Sequence, residues 1–311
     1  MKVLITGAAG FIGSNFTNYL IKKGYKKIFC IDKLGYASKI EYLKNLPIEF
    51  EKLDLLNTNK LNLLIKSINP DYLIHFAAES HVDNSIKNSI PFIQNNIIGT
   101  VNLLESVKNS KIKKFIYIST DEVFGTILKG KFNVNSLYSP LNPYSASKAS
   151  GEHFVKSYLN TFNIPSIITN CSNNYGPRQH KEKLIPKVIL NAINNQNIPV
   201  FGKGLQIRDW IYVEDHCEAL EIIMKKGLVG KRYLIGSDFQ ITNLNLIKKI
   251  LKKLKRSNDL ISFVKDRQGH DFRYAIDNSA LKKEFKWEPK FTFDKGINET
   301  IKWYEDNQNL F

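Results

Sequence analysis

Apolar residues fall in short blocks through the first two-thirds of the chain, at residues 2–5, 27–31, 49–53, 72–76, 114–118 and 166–170. Each block reads as a short, largely apolar strand, the signature of a sheet covered on both faces. Between them, stretches 12–23, 60–68, 91–108 and 145–160 place apolar residues at helical spacing. Alternating strand and helix predicts βαβ units and an α/β, Rossmann-type doubly wound parallel sheet. Beyond about residue 175 the alternation loosens, with Gly176-Pro177, Gly202, Gly204, Gly227 and Gly230 interrupting it. Helices are predicted there at 184–195, 213–225, 243–254 and 293–304. The expected division is a sheet domain over 1–175 and a smaller, mostly helical lobe over 176–311, interleaved with the sheet. A ligand crevice is expected between them, at the carboxyl ends of the strands.

Composition alters this picture little. A chain of 311 residues, 43% of them hydrophobic, can bury one large core or two small ones. The formal net charge of +16 raises nucleic-acid binding as a possibility. The densest basic run, Lys248-Lys249, Lys252-Lys253 and Lys255-Arg256, has Ile247, Ile250, Leu251 and Leu254 at helical spacing inside it. That is the wet face of an amphipathic helix, so no nucleic-acid partner is expected. A positive field would still attract an anionic nucleotide. Cys30, Cys171 and Cys217 are scattered and odd in number, and His81 and His270 have no clustered companion, so neither disulfide nor metal site is expected. With no long apolar span and no leader-like start, the expectation is a cytoplasmic protein with no membrane partner.

Two stretches carry candidate chemistry. Thr6-Gly7-Ala8-Ala9-Gly10-Phe11-Ile12-Gly13 follows the first strand and opens a helix. Gly7, Gly10 and Gly13 would let backbone approach a pyrophosphate at the helix start, although the GxxGxxG spacing departs from the commoner fingerprint and a plain structural turn stays open. Asp32, closing the second strand about 20 residues later, would accept from adenosine ribose hydroxyls and repel a 2′-phosphate, favouring NAD over NADP. Lys33 weakens that preference slightly. Asp54, ending the third strand, is equally a contact for the adenine and a turn former.

At the chemical end, Tyr144 and Lys148 share a helix face one turn apart, and an ammonium there would lower the phenol's pKa toward that of a general base. Ser119-Thr120-Asp121-Glu122 follows the 114–118 strand. It reads either as a capping box with Ser119 as N-cap, or as a strand end aiming Asp121 and Glu122 at one ligand. Adjacent carboxylates in one pocket can split into an acid and a base.

These motifs, with Ala77-Ala78-Glu79-Ser80-His81-Val82-Asp83, Cys171-Ser172-Asn173-Asn174-Tyr175-Gly176-Pro177, Lys183-Leu184-Ile185-Pro186, Arg208-Asp209-Trp210 and Asp266-Arg267-Gln268-Gly269-His270-Asp271, resemble the extended short-chain dehydrogenase/reductase family. Within it the chain is similar to nucleotide-sugar 4,6-dehydratases, from the first residues to about Tyr304. The glycine turn and YxxxK are family-wide; the Thr-Asp-Glu triplet is the specific part, since sugar epimerases and decarboxylases lack the Asp-Glu pair. The resemblance implies conversion of dTDP-glucose to its 4-keto-6-deoxy sugar and water, a bound NAD regenerated each turnover, and a homodimer joined through the 91–108 and 145–160 helices. UDP-glucose stays open as the substrate, because one methyl separates thymine from uracil.

By the same resemblance Tyr144, Lys148, Thr120, Asp121 and Glu122 are catalytic. Phe11, Ile12, Asp32, Lys33, Asp54, Leu55, Ala77 and Asn174 would join Tyr144 and Lys148 in contacting NAD. Ser80, Thr120, Asn173, Lys183, Leu184, Arg208, Asn243, Arg267 and His270 would contact the nucleotide-diphosphate sugar, the two arginines through its diphosphate. The chain departs from the family in a shortened segment between Gly125 and Asn142, in Gln268 for proline, in Asn95 for threonine and in Phe124 for tyrosine.

Overall fold

The computed structural model describes residues 1–310. β1 (Lys2–Thr6) leads to α1 (Phe11–Lys22), then β2 (Lys27–Asp32), β3 (Glu49–Lys52), α2 (Thr58–Ile68) and β4 (Tyr72–His75). A short α3 (Val82–Lys87) precedes a helical rod made of α4 (Ile90–Phe92), a π-helical segment (Ile93–Ile98) and α5 (Gly99–Val107). β5 (Lys114–Thr120), α6 (Pro143–Phe162), β6 (Ser166–Cys171) and β7 (Asn173–Tyr175) follow. The remainder comprises α7 (Leu184–Ile193), β8 (Ile198–Phe201), β9 (Ile207–Tyr212), α8 (Val213–Lys226), β10 (Arg232–Ile235), β11 (Gln240–Thr242), α9 (Asn243–Lys253), β12 (Ile261–Val264), α10 (Ser279–Phe285) and α11 (Phe293–Asp306).

The main sheet has seven strands in the order β10-β6-β5-β4-β1-β2-β3, and every pairing in it is parallel. Along β1, Val3 and Ile5 enter one core with Phe16, Leu20, Ile223 and Met224, while Leu4 enters the other with Leu61, Ile65, Leu103 and Val155. Successive side chains point to opposite faces, so burying both faces, under α1 and α8 on one side and α2, α5 and α6 on the other, requires the unbroken apolar blocks seen in the sequence. β3, at the sheet edge, can keep Glu49, Glu51 and Lys52 and reads weakly for that reason. The strand order reverses beside β1, and the carboxyl ends of β1, β2, β4, β5 and β6 open onto that crevice.

The lobe has its own core of Tyr175, Ile185, Val188, Trp210, Tyr212, Leu246, Ile250, Ile297 and Tyr304. α7, α8, α9 and α11 stand where periodicity placed them, whereas α10 has no counterpart among the predicted helices. In α9, Leu246, Ile247, Ile250 and Leu251 are buried and Lys248, Lys249 and Lys252 exposed. Two small sheets, β11-β9-β7 and β12-β8, were not anticipated; strands of three to six residues give too few positions for a period of two to register. The chain also returns to the main sheet after the lobe has begun, laying β10 beside β6 and α8 against α1.

Candidate active site

The glycine turn is a backbone-to-backbone junction. Gly7 has φ +68°, and a Cβ there would lie 2.6 Å from the Ala77 nitrogen; one on Gly13 would lie 2.2 Å from the Gly7 oxygen. No side chain caps α1, so its first amides remain available to an anion. The Asp32 carboxylate accepts from Ala9 N at 3.0 Å and Leu34 N at 2.7 Å. Burial raises its pKa, and those two N–H groups act in the opposite sense. Asp32 therefore ties the turn to the end of β2. The Lys33 ammonium is taken up by Glu79 at 2.9 Å and Asn95 at 2.7 Å. Asp54 accepts from Leu56 N at 2.9 Å, as its turn-forming reading has it, and lines the cleft.

One cleft runs from this turn across the strand ends. Gly7, Gly10, Phe11, Ile12, Gly13, Asp32, Lys33, Asp54, Leu55, Ala77, Tyr144, Lys148 and Asn174 all line it, as do Ser80, Thr120, Glu122, Asn173 and Lys183. The cradle that a Cβ would fill, the uncapped α1 and the carboxylate at the end of β2 fit an NAD-type dinucleotide.

At the other end of the cleft, Asn142 caps α6 by accepting from Ser145 N at 2.9 Å, and Pro143 occupies the first turn. Tyr144 and Lys148 are thereby fixed one turn apart, both nearly buried. The Lys148 ammonium lies 4.2 Å over the Tyr117 ring, and burial pushes its pKa down to about 8. The Tyr144 phenol is raised well above its ordinary value, by burial first and the Glu122 carboxylate second, with a Thr120 hydrogen bond opposing. Burial and the Glu122 carboxylate thus act against the lowering expected from Lys148.

β5 runs through Thr120, and Asp121–Phe124 form one 3-10 turn. Thr120, not Ser119, caps it, with Oγ1 accepting from Glu122 N at 3.3 Å. The strand ends before Asp121, which frees both carboxylates from strand alternation. Thr120 Oγ1 donates to Asp121 Oδ1 at 3.3 Å, and Asp121 Oδ2 has no protein partner. Burial raises the Asp121 pKa strongly, with Glu122 and Asp209 adding to it. Glu122 is also raised by burial, but Arg208, Lys183 and Arg267 oppose the shift. The two carboxyls are thus pushed apart, Asp121 being raised the more strongly and Glu122 held back by the three cations.

Both native pKa values are raised, so these carboxyls favour the fold at low pH and that contribution is lost as pH rises through them. Asp121→Asn should therefore raise Tm by a few degrees at ~pH 8 and by much less near ~pH 4, where about half of the unfolded carboxyl is itself protonated. Thermal melts at the two pH values check this; equal increments at both would exclude buried charge as the cause.

Five residues expected at the sugar nucleotide do not line the cleft. Arg208 is buried, donating to the carbonyls of Ile207 at 2.9 Å and Asp271 at 2.8 Å with Tyr274 4.2 Å from its guanidinium. Arg267 meets Asp83 at 3.4 Å and lies 4.7 Å over Phe201, and His270 pairs with Asp266 at 2.6 Å. Asn243 opens α9 with a buried, unpartnered Oδ1, and Leu184 opens α7 against the lobe core. Lobe carbonyls occupy Arg208 and Asp83, on α3, pairs with Arg267, although both arginines act electrostatically on Glu122. Sequence reasoning missed Tyr36 and Glu182, whose hydrogen bond at 3.0 Å spans the cleft between the loop after β2 and the segment before α7. Neither belongs to a periodic pattern, so only the adjacent Lys183 pointed there. Among the described residues no group of three or more His, Cys, Asp or Glu could hold a metal, and no helix is long and apolar enough to cross a membrane.

Residues 4–300 match the family profile described as GDP-mannose 4,6 dehydratase. The dTDP-glucose 4,6-dehydratase of Neisseria meningitidis serogroup B is 42% identical, covering 99% of this chain and 94% of that protein. The low-salt glycan biosynthesis protein Agl12 of Haloferax volcanii is 43% identical, covering 98% of each. Among solved structures, DesIV, a dTDP-glucose 4,6-dehydratase from Streptomyces venezuelae with NAD and TYD bound, superposes with a TM-score of 0.97 at 34% identity, over 100% of this chain and 99% of that one.

Proposed function

This chain belongs to the GDP-mannose 4,6-dehydratase family, and within it we propose a dTDP-glucose 4,6-dehydratase that uses NAD. The carrying observation is convergence: Tyr144 at the start of α6 and Glu122 after β5 line one cleft, close enough for the carboxylate to raise the phenol. The chemistry supplied by bound NAD is acceptance of the C4 hydride and its return at C6. Tyr144, assisted by Lys148, removes the C4 hydroxyl proton, and Thr120 hydrogen-bonds the same oxygen. The resulting 4-ketone acidifies C5–H, and Glu122, the more ionised carboxylate, takes that proton. Asp121, held neutral by burial, gives its proton to the C6 hydroxyl, which leaves as water. Hydride return at C6, with the proton held by Glu122 going back to C5, would complete the 4-keto-6-deoxy sugar, and passage of the Tyr144 proton to Asp121 would reset the site. A 4-epimerase needs neither acid, so the Asp121-Glu122 pair disfavours that reading.

Incubation with dTDP-glucose and, separately, UDP-glucose, followed by the ketone's absorbance in alkali, tests the assignment. Ketone from dTDP-glucose is expected; ketone from UDP-glucose alone would change the nucleotide, and none from either would remove the reaction. The proposed organisation has residues 1–175 holding NAD and the later lobe holding the nucleotide sugar, in a cytoplasmic homodimer. Ile90, Ile93 and Ile98 on the α4–α5 rod and Phe154 and Phe162 on α6 are exposed, an apolar face suited to a four-helix contact between copies. Sedimentation at micromolar concentration as a species of twice the chain mass is the expected result; a monomer alone would overturn it.

A further inference from the structure

One buried charge beside the site takes no part in the proton transfers. Glu152 lies on α6 one turn beyond Lys148 and is fully buried. Its carboxylate forms an ion pair with Arg232 on β10 and accepts from Tyr138 Oη at 2.7 Å and from Asn170 Nδ2, on β6, at 2.7 Å. Asn170 Nδ2 also donates to the Thr120 carbonyl at 2.9 Å. Asn170 is therefore a two-bond strut between the YxxxK helix and the last residue of β5, from which the Asp121-Glu122 turn springs. A buried ion pair is rarely the most stable filling for such a space, so the retained charge calls for a role.

We propose that Glu152 is a positioning residue for the dehydratase site: anchored on Arg232, it sets the Thr120 carbonyl through Asn170 and keeps a negative charge beside Lys148. This rests on the dehydratase reading for its purpose. The groups facing Lys148 are Tyr144 and Glu152 on its own helix, the Tyr117 ring on β5, Cys171 on β6 and His75 on β4. Those facing Glu152 are Arg232, Tyr138, Asn170, Tyr117 and Lys156. Of the groups around Lys148, Glu152 is the leading one that opposes its desolvation. A glutamine at 152 can keep accepting from Asn170 through its one carbonyl oxygen, with its amide nitrogen turned to Tyr138 Oη as a donor, so it removes the charge while sparing the strut.

The test is the titration midpoint of Lys148 itself. Protein carrying carbon-13 at lysine Cε is titrated by NMR, with the Lys148 signal assigned through Lys148→Arg. The wild-type midpoint should lie near about 8, and Glu152→Gln should lower it by roughly one pH unit. Glu152→Asp should restore most of the difference. If Glu152→Gln fails to fold because Arg232 is left unpaired, the double variant Glu152→Gln/Arg232→Gln removes both charges and should show a smaller fall in the same direction. On dTDP-glucose, the alkaline limb of the kcat profile should move down with the midpoint. An unchanged Lys148 midpoint in a folded variant overturns the proposal. Absence of ketone formation by wild-type protein would instead overturn the dehydratase reading, leaving the midpoint measurement valid.

Discussion

Glu122→Gln should stop turnover of dTDP-glucose while allowing oxidation at C4, lowering kcat by roughly 10²–10⁴-fold, the usual worth of a positioned acid–base group. The amide fits the same turn: the cap from Thr120 Oγ1 goes to the backbone nitrogen of residue 122, not to its side chain. Tyr144, Lys148 and Thr120 are untouched, and the Tyr144 pKa should fall, because the Glu122 charge is the largest electrostatic contribution raising it. C4 oxidation should thus proceed at least as readily, leave C5–H in place and build up reduced-nicotinamide absorbance in a single-turnover mixture. Normal turnover by this variant would show that another group takes the C5 proton. Loss of both oxidation and elimination would place Glu122 in the first step instead.

Gly13→Ala should abolish cofactor retention. The added methyl would sit 2.2 Å from the Gly7 oxygen and 3.0 Å from Ala8 Cα. The nearest of these is main chain held between β1 and α1, so it cannot swing aside as a long side chain would. Overpacking of this kind typically costs about 1–3 kcal/mol or more, and here relief means moving the α1 amides that face the anion. Gly10→Ala is the matched control: its nearest neighbour is the same oxygen at 3.3 Å, which a small shift accommodates. Nucleotide co-purifying with each protein, read as the absorbance ratio after gel filtration, should be lost in the first variant and kept in the second. Equal retention in both would mean that the turn is structural only.

The sheet was legible because β1, β2, β4, β5 and β6 are buried on both faces and must be apolar throughout. β10 was not, since four residues after a glycine-punctuated stretch carry no period, and its place is set by α8 crossing back over α1. The cofactor half of the site was equally legible: residues on strand ends and at the glycine turn have positions fixed by the fold. Tyr144, Lys148, Thr120 and Glu122 followed from spacing and resemblance. Their electrostatics did not, because spacing gives adjacency and not desolvation, and desolvation decides the state of Tyr144. The substrate half was least legible. Arg208, on β9, is already engaged by backbone carbonyls and Arg267, in the loop after β12, by Asp83 on α3, a competition that local sequence does not reveal.

The late arrival of β10 has a consequence for biosynthesis. A nascent chain that has emerged only as far as β6 presents that strand as a bare parallel edge, with α1 still uncovered by α8, until residues through Ile235 have left the ribosome. Unpaired edges recruit other strands, so a fragment stopped at residue 175 should be prone to self-association, and the interval before residue 235 emerges is when a chaperone has most to protect.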